Sequence, residues 1–417
     1  MANFNLSESL SNLVKDMKSH YKIKYALPLN LYFGERNETL KKVIDLVAPF
    51  STGVFLSTPS TFEKEEKSYR KMLNGKGIKL INYIVDGTYR FTVEGVSGLF
   101  ALPDNIRFIL YSDKSLSPYA SYFAHFRKIP VIYIPNSLDF SNAFNNIISI
   151  VNGEKLDYVK VKPQREVIID KEYIGEVGIA HAFADLMSLL PTLTDYRINC
   201  NILNIKPDVY AYDHLKECLT EGYKIASMPK KSRAEMFLYY SIKKALIGGN
   251  ALDAFTFVSA VYAVESIFSL RDECYEQLRL QSVIDLVNIY SVCFETGSVL
   301  QVANLNERAE ELAKQTGIDE SHFMSNLIYQ QAVLTGKTER VEKLKEFLKR
   351  EFSTASKTGE SIYKIYLSLG GKKADSKAFK EIFYTVLRAG DFGRKINGMT
   401  IVRESGLTEK YLNGDKF

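Results

Sequence analysis

The chain of 417 residues has only five histidines and four cysteines, the side chains that commonly build metal and redox centres. It has no tryptophan. The absence of tryptophan favours no class of function. The cysteines are far apart and include no Cys-x-x-Cys pair, which argues against a disulfide framework and against a zinc knuckle. This pattern fits a reducing compartment, and we expect the protein to be cytoplasmic. The four are Cys200, Cys218, Cys274 and Cys293.

Long apolar runs and an excess of charge of one sign are also absent. The most apolar run, 254–264, covers eleven residues, whereas a helix that spans a bilayer needs about twenty. The amino-terminal segment lacks the apolar core of a signal peptide. The 54 basic and 49 acidic residues give a net charge of +5, which is too balanced to indicate a nucleic acid or a membrane surface as the partner. We therefore expect neither nucleic-acid binding nor membrane insertion.

What the chain does have is an alternation of short apolar runs and helical segments in its first part. This order is typical of βαβ units and a mainly parallel sheet. Beyond residue 172 the pattern is almost continuously helical. We predict two domains: an α/β, nucleotide-binding-like domain with a Rossmann-like parallel sheet over 1–155, and an all-helical domain over 156–417. The predicted strands include 53–56, 78–85, 108–110 and 166–170, and the predicted long helices are 179–190, 232–247, 252–269, 272–295 and 338–352.

The turn after the strand Phe108–Tyr111 contains no glycine. In nucleotide-binding α/β domains this turn is glycine-rich, so that the backbone can approach a pyrophosphate. Here it reads Ser112-Asp113-Lys114-Ser115. The Cβ atoms would obstruct a phosphate and the Asp113 carboxylate would repel it, whereas Lys114 would attract it. An ordinary polar turn between a strand and a helix is the alternative.

Several segments resemble motifs of the dehydroquinate synthase-like superfamily, which includes sn-glycerol-1-phosphate dehydrogenase, glycerol dehydrogenase and the iron-containing alcohol dehydrogenases. The resemblance covers about residues 25–300 and is closest in pattern to sn-glycerol-1-phosphate dehydrogenase. It implies a nucleotide-binding α/β domain followed by a helical domain. The segments that carry it are 108–115, Ile129-Pro130-Val131, Ile134-Pro135-Asn136-Ser137, 167–170, Ala184-Asp185-Leu186-Met187 and Asp195-Tyr196.

The resemblance also implies a site. Nucleotide contacts would come from Ser112, Asp113, Lys114, Ser115, Asn136 and Ser137. In this superfamily a divalent metal, held by one aspartate and two histidines, polarises the hydroxyl of the substrate so that hydride can leave. Asp185 matches the aspartate. Val258 stands where the first histidine is expected, and the helix 278–290, where the second is expected, contains no histidine.

Other departures affect the nucleotide side of the site. Residues 112–114 stand at three glycine positions, and Pro118 and Ser121 stand where the family has an aspartate and a lysine. His181 lies four residues before Asp185, so the two could share a helix face and form a weak, two-ligand metal site. The alternative is a histidine that is hydrogen-bonded to Asp185. Asp139, in the loop after Pro135, could line a cleft between the domains.

Together these departures predict a catalytically degenerate homologue, a pseudoenzyme that acts as a binding, regulatory or structural subunit without a tightly bound cofactor. Its partner would be a second copy or an active homologue of the same fold. A cleft that binds a sugar phosphate or a nucleotide without turnover is equally compatible. The alternative is an active NAD(P)-dependent oxidoreductase of the glycerol-1-phosphate dehydrogenase type, or a dehydroquinate synthase-like enzyme with a remodelled site. That enzyme would use NAD(P) and zinc, and Asp185, His181 and Asp139 are its candidate residues.

Overall fold

The structure is a computed structural model in which the chain forms two compact units. The first comprises Met1–Ala182 and Ser227–Asn250, and the second comprises Phe183–Ala226 and Ala251–Phe417. The structure describes residues 4–21, 30–59, 62, 67–85, 91–138, 140, 143–161, 165–171, 176–250, 259–270, 278–293, 304–352, 355–372, 383–384, 396–404 and 408. Within these ranges no helix is long and apolar enough to cross a membrane.

A six-stranded parallel sheet forms the centre of the first unit. Its strand order is β1-β8-β5-β4-β2-β3, and a separate antiparallel hairpin is formed by β6 and β7. Because all six strands run in the same direction, their carboxyl ends lie at one edge of the sheet. The strands are β1 (Asn30–Gly34), β2 (Thr52–Ser57), β3 (Lys79–Ile84), β4 (Ile109–Tyr111), β5 (Val131–Tyr133), β6 (Ile147–Asn152), β7 (Lys155–Lys160) and β8 (Arg165–Asp170).

Helices flank this sheet because its central strands are apolar on both faces. Every residue of β2, β4, β5 and β8 is buried, as expected for a parallel sheet that is covered on both sides. Gly53 in β2 leaves room for the ring of Phe108, which an added Cβ would approach to 2.2 Å. The helices of this unit are α1 (Leu6–His20), α2 (Arg36–Val47), α3 (Lys67–Asn74), α4 (Val93–Phe100), α5 (Ser117–Arg127), the first part of α6 (Glu176–Met187) and α9 (Lys230–Asn250).

The second unit is helical throughout its described residues. Several of its helices begin at a residue whose side chain accepts a hydrogen bond from a backbone N–H of the first turn. Asp208 does so at the start of Val209–Ile225. Others end at a residue in the left-handed region, such as Asn204 and Gly317. Its helices are the last part of α6, α7 (Leu189–Leu203), α8 (Val209–Ile225), α10 (Ala260–Leu270), α11 (Arg279–Cys293), α12 (Leu305–Thr316), α13 (Glu320–Thr335), α14 (Thr338–Phe352), α15 (Ala355–Ser368) and α16 (Gly398–Glu404).

The predicted fold class, a parallel α/β unit and a helical unit, is confirmed. The division differs from the predicted boundary near residue 155 for two reasons. Strand β8 lies inside the sheet between β1 and β5, so the α/β unit continues past it and the division falls within α6. Helix α9 also groups with the first unit, where it packs against α1.

Candidate active site

The turn that lacks glycine lies at the carboxyl edge of the sheet, after β4. Ser112 and Asp113 lead into a single 3-10 turn, Lys114–Leu116, which continues directly into α5. The Asp113 carboxylate accepts hydrogen bonds from the Ser115 backbone N–H at 2.9 Å and from the Ser115 hydroxyl at 2.8 Å. These are groups at a helix start of the kind that would otherwise hold an anion. The carboxylate of Asp113 therefore occupies donors that a phosphate would need.

Two hydroxyl groups beside this turn have unused hydrogen-bonding capacity. Ser57 ends β2 and Ser112 follows β4, and the register that pairs Leu56 with Tyr111 places the two serines side by side on adjacent strands. Both side chains are buried, and neither Oγ atom has a hydrogen-bond partner among the described residues. Buried polar groups usually have partners. The two serines are thus polar groups at this edge that could hydrogen-bond a ligand.

Tyr111 and Arg165 form a buried polar cluster within the same unit. The Tyr111 ring stacks on Tyr133 at a centroid distance of 4.6 Å, and its hydroxyl donates to Ser117 Oγ at 3.3 Å. Burial raises the pKa of Tyr111 to about 12, and burial lowers the pKa of Arg165 to about 10. The Arg165 guanidinium donates to Ser121 Oγ at 3.2 Å. Ser121, which stands where the resemblance implies a lysine, thus accepts from a guanidinium of β8.

The loop after β5 reaches the same edge of the sheet, because β5 pairs with β4. Asn136 and Ser137 are half-buried in a bend that follows Ile134 and Pro135. Asp139, the remaining candidate of this loop, lies outside the described residues. A role of Asn136 and Ser137 in nucleotide binding stays a prediction.

The carboxylate that matches the metal ligand of the resemblance forms an ion pair. Asp185 in α6 is 2% exposed, and it accepts a hydrogen bond of 2.8 Å from Nη1 of Arg279, which is 3% exposed and begins α11. The Nε atom of Arg279 donates to Oε1 of Glu265 in α10. A single guanidinium is therefore the shared cationic partner of two carboxylates, and the three side chains come from three different helices.

Asp195, the aspartate of the Asp195-Tyr196 motif, has a structural role in the same unit. It is fully buried, and its Oδ1 atom accepts from the Tyr290 hydroxyl at 2.7 Å and from the Gly398 backbone N–H at 2.9 Å. Its Oδ2 atom accepts from the Ala260 backbone N–H at 2.7 Å. Ala260 and Gly398 are the first residues of α10 and α16, so one carboxylate satisfies the starts of two helices.

Comparison with known proteins identifies the fold. No protein-family model and no curated protein matches the sequence. The NADH-dependent butanol dehydrogenase A of Thermotoga maritima superimposes with a TM-score of 0.54 at 13% identity, over 91% of this chain and 97% of that one. The fold is that of the iron-containing alcohol dehydrogenases. The predicted resemblance to the dehydroquinate synthase-like superfamily is confirmed at the level of fold.

Two further structures support this fold. The glycerol dehydrogenase of Schizosaccharomyces pombe has a TM-score of 0.50 at 11% identity, over 94% of this chain and 93% of that one. A 1,3-propanediol oxidoreductase also has a TM-score of 0.50, at 13% identity, over 92% of this chain and 99% of that one. At such identities the likeness concerns the fold alone. The closer link to sn-glycerol-1-phosphate dehydrogenase stays a prediction.

The described residues do not fit the metal centre that the iron-containing alcohol dehydrogenase fold implies. Asp185 already has a cationic partner, and no group of three or more His, Cys, Asp or Glu side chains in the described part of the chain could hold a metal ion. His181 is half-buried on α6, one turn before Asp185. Val258, at the first histidine position, lies outside the described residues. At the turn after β4, a pyrophosphate would have to compete with the Asp113 carboxylate for the Ser115 donors.

The sequence did not reveal Arg279 or Arg165. Both lie near the ends of apolar segments, where a charged residue is usually solvated. Their partners are distant along the chain, 94 residues for Asp185 and 44 residues for Ser121. The one local signal was Asp113, since Asp two residues before Ser is a common start of a helical turn.

Proposed function

We propose that the chain is a catalytically inactive member of this fold, a pseudoenzyme that serves as a binding, regulatory or structural subunit. The buried ion pair between Asp185 and Arg279 carries this proposal. In the iron-containing alcohol dehydrogenase fold the matching carboxylate is expected to hold the metal that polarises the substrate oxygen. Here the carboxylate already has a buried cationic partner from the protein itself, Arg279, which it shares with Glu265.

The energy of this pair makes metal binding at Asp185 unfavourable. A metal ion at Asp185 would have to displace the Arg279 guanidinium, which would then keep only Glu265 as a carboxylate partner. Breaking a buried ion pair costs about 3–5 kcal/mol, which corresponds to a loss of about 100-fold to several thousand-fold in metal affinity. Zinc that competes from solution would therefore bind weakly.

The phosphate turn supports the same function. Because Asp113 accepts from Ser115, a pyrophosphate would have to displace a carboxylate and then lie beside its negative charge. The Cβ atoms of residues 112–114 further restrict the approach of the backbone to a phosphate. We expect no tightly bound NAD(P), and we propose that the partner is a second copy of the chain or an active homologue of the same fold.

We also propose that the protein works in the cytoplasm. The four cysteines lie far apart in the sequence and include no Cys-x-x-Cys pair, which suits a reducing compartment.

An active enzyme is the second candidate function. The hydroxyls of Ser57 and Ser112 favour it, because they have no hydrogen-bond partner among the described residues and leave donors at the edge of the sheet where α/β proteins bind ligands. It would be an NAD(P)-dependent oxidoreductase of the glycerol-1-phosphate dehydrogenase type, or a dehydroquinate synthase-like enzyme with a remodelled site. Its candidate residues are Asp185, His181 and Asp139.

Metal analysis and a titration with NADH and NADPH separate the two candidates. The pseudoenzyme should carry less than stoichiometric zinc after dialysis against a mild chelator, and it should not enhance nicotinamide fluorescence in the micromolar range. Light scattering on the same sample gives its oligomeric state, and a homologue added in excess tests mixed assembly. Stoichiometric zinc that survives the dialysis would overturn the proposal and favour the enzyme.

A further inference from the structure

Arg279 lies where three helices of the second unit meet. Its guanidinium contacts Asp185 on α6 and Glu265 on α10, and Arg279 itself begins α11. The side chains of Arg279 and Asp185 are 3% and 2% exposed, and that of Glu265 is 15% exposed. Water therefore contributes little to the balance of these charges.

We infer that Arg279 is a tethered cation at a cation-binding site: its guanidinium takes the place of a bound metal ion between the carboxylates of Asp185 and Glu265. A buried carboxylate is unstable without a counter-charge and hydrogen-bond donors. A guanidinium supplies both, since its planar donors can bind two carboxylates at once. A side chain also needs no metal from solution. The inference rests on the proposed function, since a metal ion bound at Asp185 would take the place of the guanidinium. Its own test is the metal response of Arg279 variants, which does not depend on turnover.

A second buried ion pair in the same unit provides the matched control. Arg308 Nη1 donates to Glu404 Oε1 at 2.7 Å, and both side chains are buried. Glu404 also accepts from Arg403 Nε at 3.3 Å. Here one carboxylate lies between two guanidiniums, whereas at Arg279 one guanidinium lies between two carboxylates. Removing Arg308 therefore creates no pair of carboxylates for a metal ion.

The experiment compares thermal unfolding of the full chain with that of Arg279→Ala and Arg308→Ala. In chelator, each variant should unfold about 10 °C lower, because each loses one partner of a buried ion pair. Millimolar Mn²⁺, which prefers oxygen ligands, should raise the midpoint of Arg279→Ala by several degrees. It should leave the wild type and Arg308→Ala unchanged. The double variant Asp185→Asn/Arg279→Ala should lose the response.

Several outcomes would overturn the inference: a folded Arg279→Ala that does not respond to Mn²⁺, an equal response of Arg308→Ala, or stoichiometric metal in the wild type. If Arg279→Ala does not fold, the zinc content of the variant Arg279→His tests the inference instead. Histidine adds a neutral imidazole to two carboxylates, which gives the three ligands of a zinc site. Arg279→His should retain about one zinc ion per chain after dialysis, and folded protein without zinc would refute the inference.

Discussion

Replacing Asp195 by asparagine should destabilise the helical unit strongly, although the two side chains have nearly the same shape. The carboxylate accepts three hydrogen bonds within 2.9 Å, from the Tyr290 hydroxyl and from the first backbone N–H groups of α10 and α16. Asparagine has one acceptor oxygen. If that oxygen faces Tyr290 and Gly398, the amide NH₂ group faces the Ala260 N–H. Both groups are donors, so the hydrogen bond of Ala260 is lost.

The magnitude follows from these contacts. Loss of the hydrogen bond between the charged Oδ2 atom and Ala260 costs about 1.5–3 kcal/mol, and the buried N–H left without a partner adds about 1–3 kcal/mol. We expect the free energy of unfolding to fall by about 3–5 kcal/mol. Tyr290→Phe removes one donor and leaves the carboxylate with two others, so it should cost about 1–2 kcal/mol.

Urea unfolding followed by circular dichroism measures both variants beside the wild type. The two units need not unfold together, so the comparison uses the transition that Asp195→Asn shifts. A loss below about 1 kcal/mol for Asp195→Asn, or a larger loss for Tyr290→Phe, would refute the structural role of Asp195.

Two further predictions concern the first unit. The pKa of Tyr111 is raised from 10.0 in the unfolded chain to about 12 in the folded protein, so the stability that Tyr111 contributes is present below pH 10 and is lost as the pH rises to 12. The free energy of unfolding of Tyr111→Phe should therefore rise by about 2–3 kcal/mol relative to that of the wild type over this range. A difference in unfolding free energy that stays constant with pH in urea titrations would contradict this assignment. Gly53→Ala should lower the free energy of unfolding by about 1–3 kcal/mol, because its Cβ would meet the Phe108 ring. Gly248→Ala in α9 has open space around it and should raise the free energy of unfolding by about 0.5–1 kcal/mol. Equal midpoints of the two variants in thermal unfolding would contradict this.

The sheet was predictable because its central strands are buried on both faces and therefore read as continuous apolar runs. The predicted strands 53–56, 108–110 and 166–170 correspond to β2, β4 and β8. The hairpin β6–β7 was not predicted. Strand β7 has mostly exposed, polar side chains, so its composition resembles a loop, and pairing with β6 defines it as a strand.

The site could be predicted only in part. Asp185 was singled out by its motif, and the structure shows it buried on α6, but its role in a site stays a prediction. Its pairing with Arg279 depends on how α6 and α11 pack, which no local pattern records. Asp113 was expected to repel a phosphate, but its hydrogen bonds to Ser115 were not foreseen. The contacts that decide the state of Asp185 are thus tertiary, and those that decide the state of Asp113 are local.

Turnover of a nicotinamide cofactor tests the central claim most directly. The purified full chain is assayed by nicotinamide absorbance with NAD, NADP and their reduced forms, with added zinc, on glycerol phosphate, glycerol and simple alcohols. Loss of a single electrostatic group commonly lowers a rate by about 100–1,000-fold. The loss of both the metal ligands and the phosphate cradle should therefore leave no measurable turnover. Turnover that disappears in a folded Asp185→Ala variant would contradict the account and show that the site is a remodelled active site.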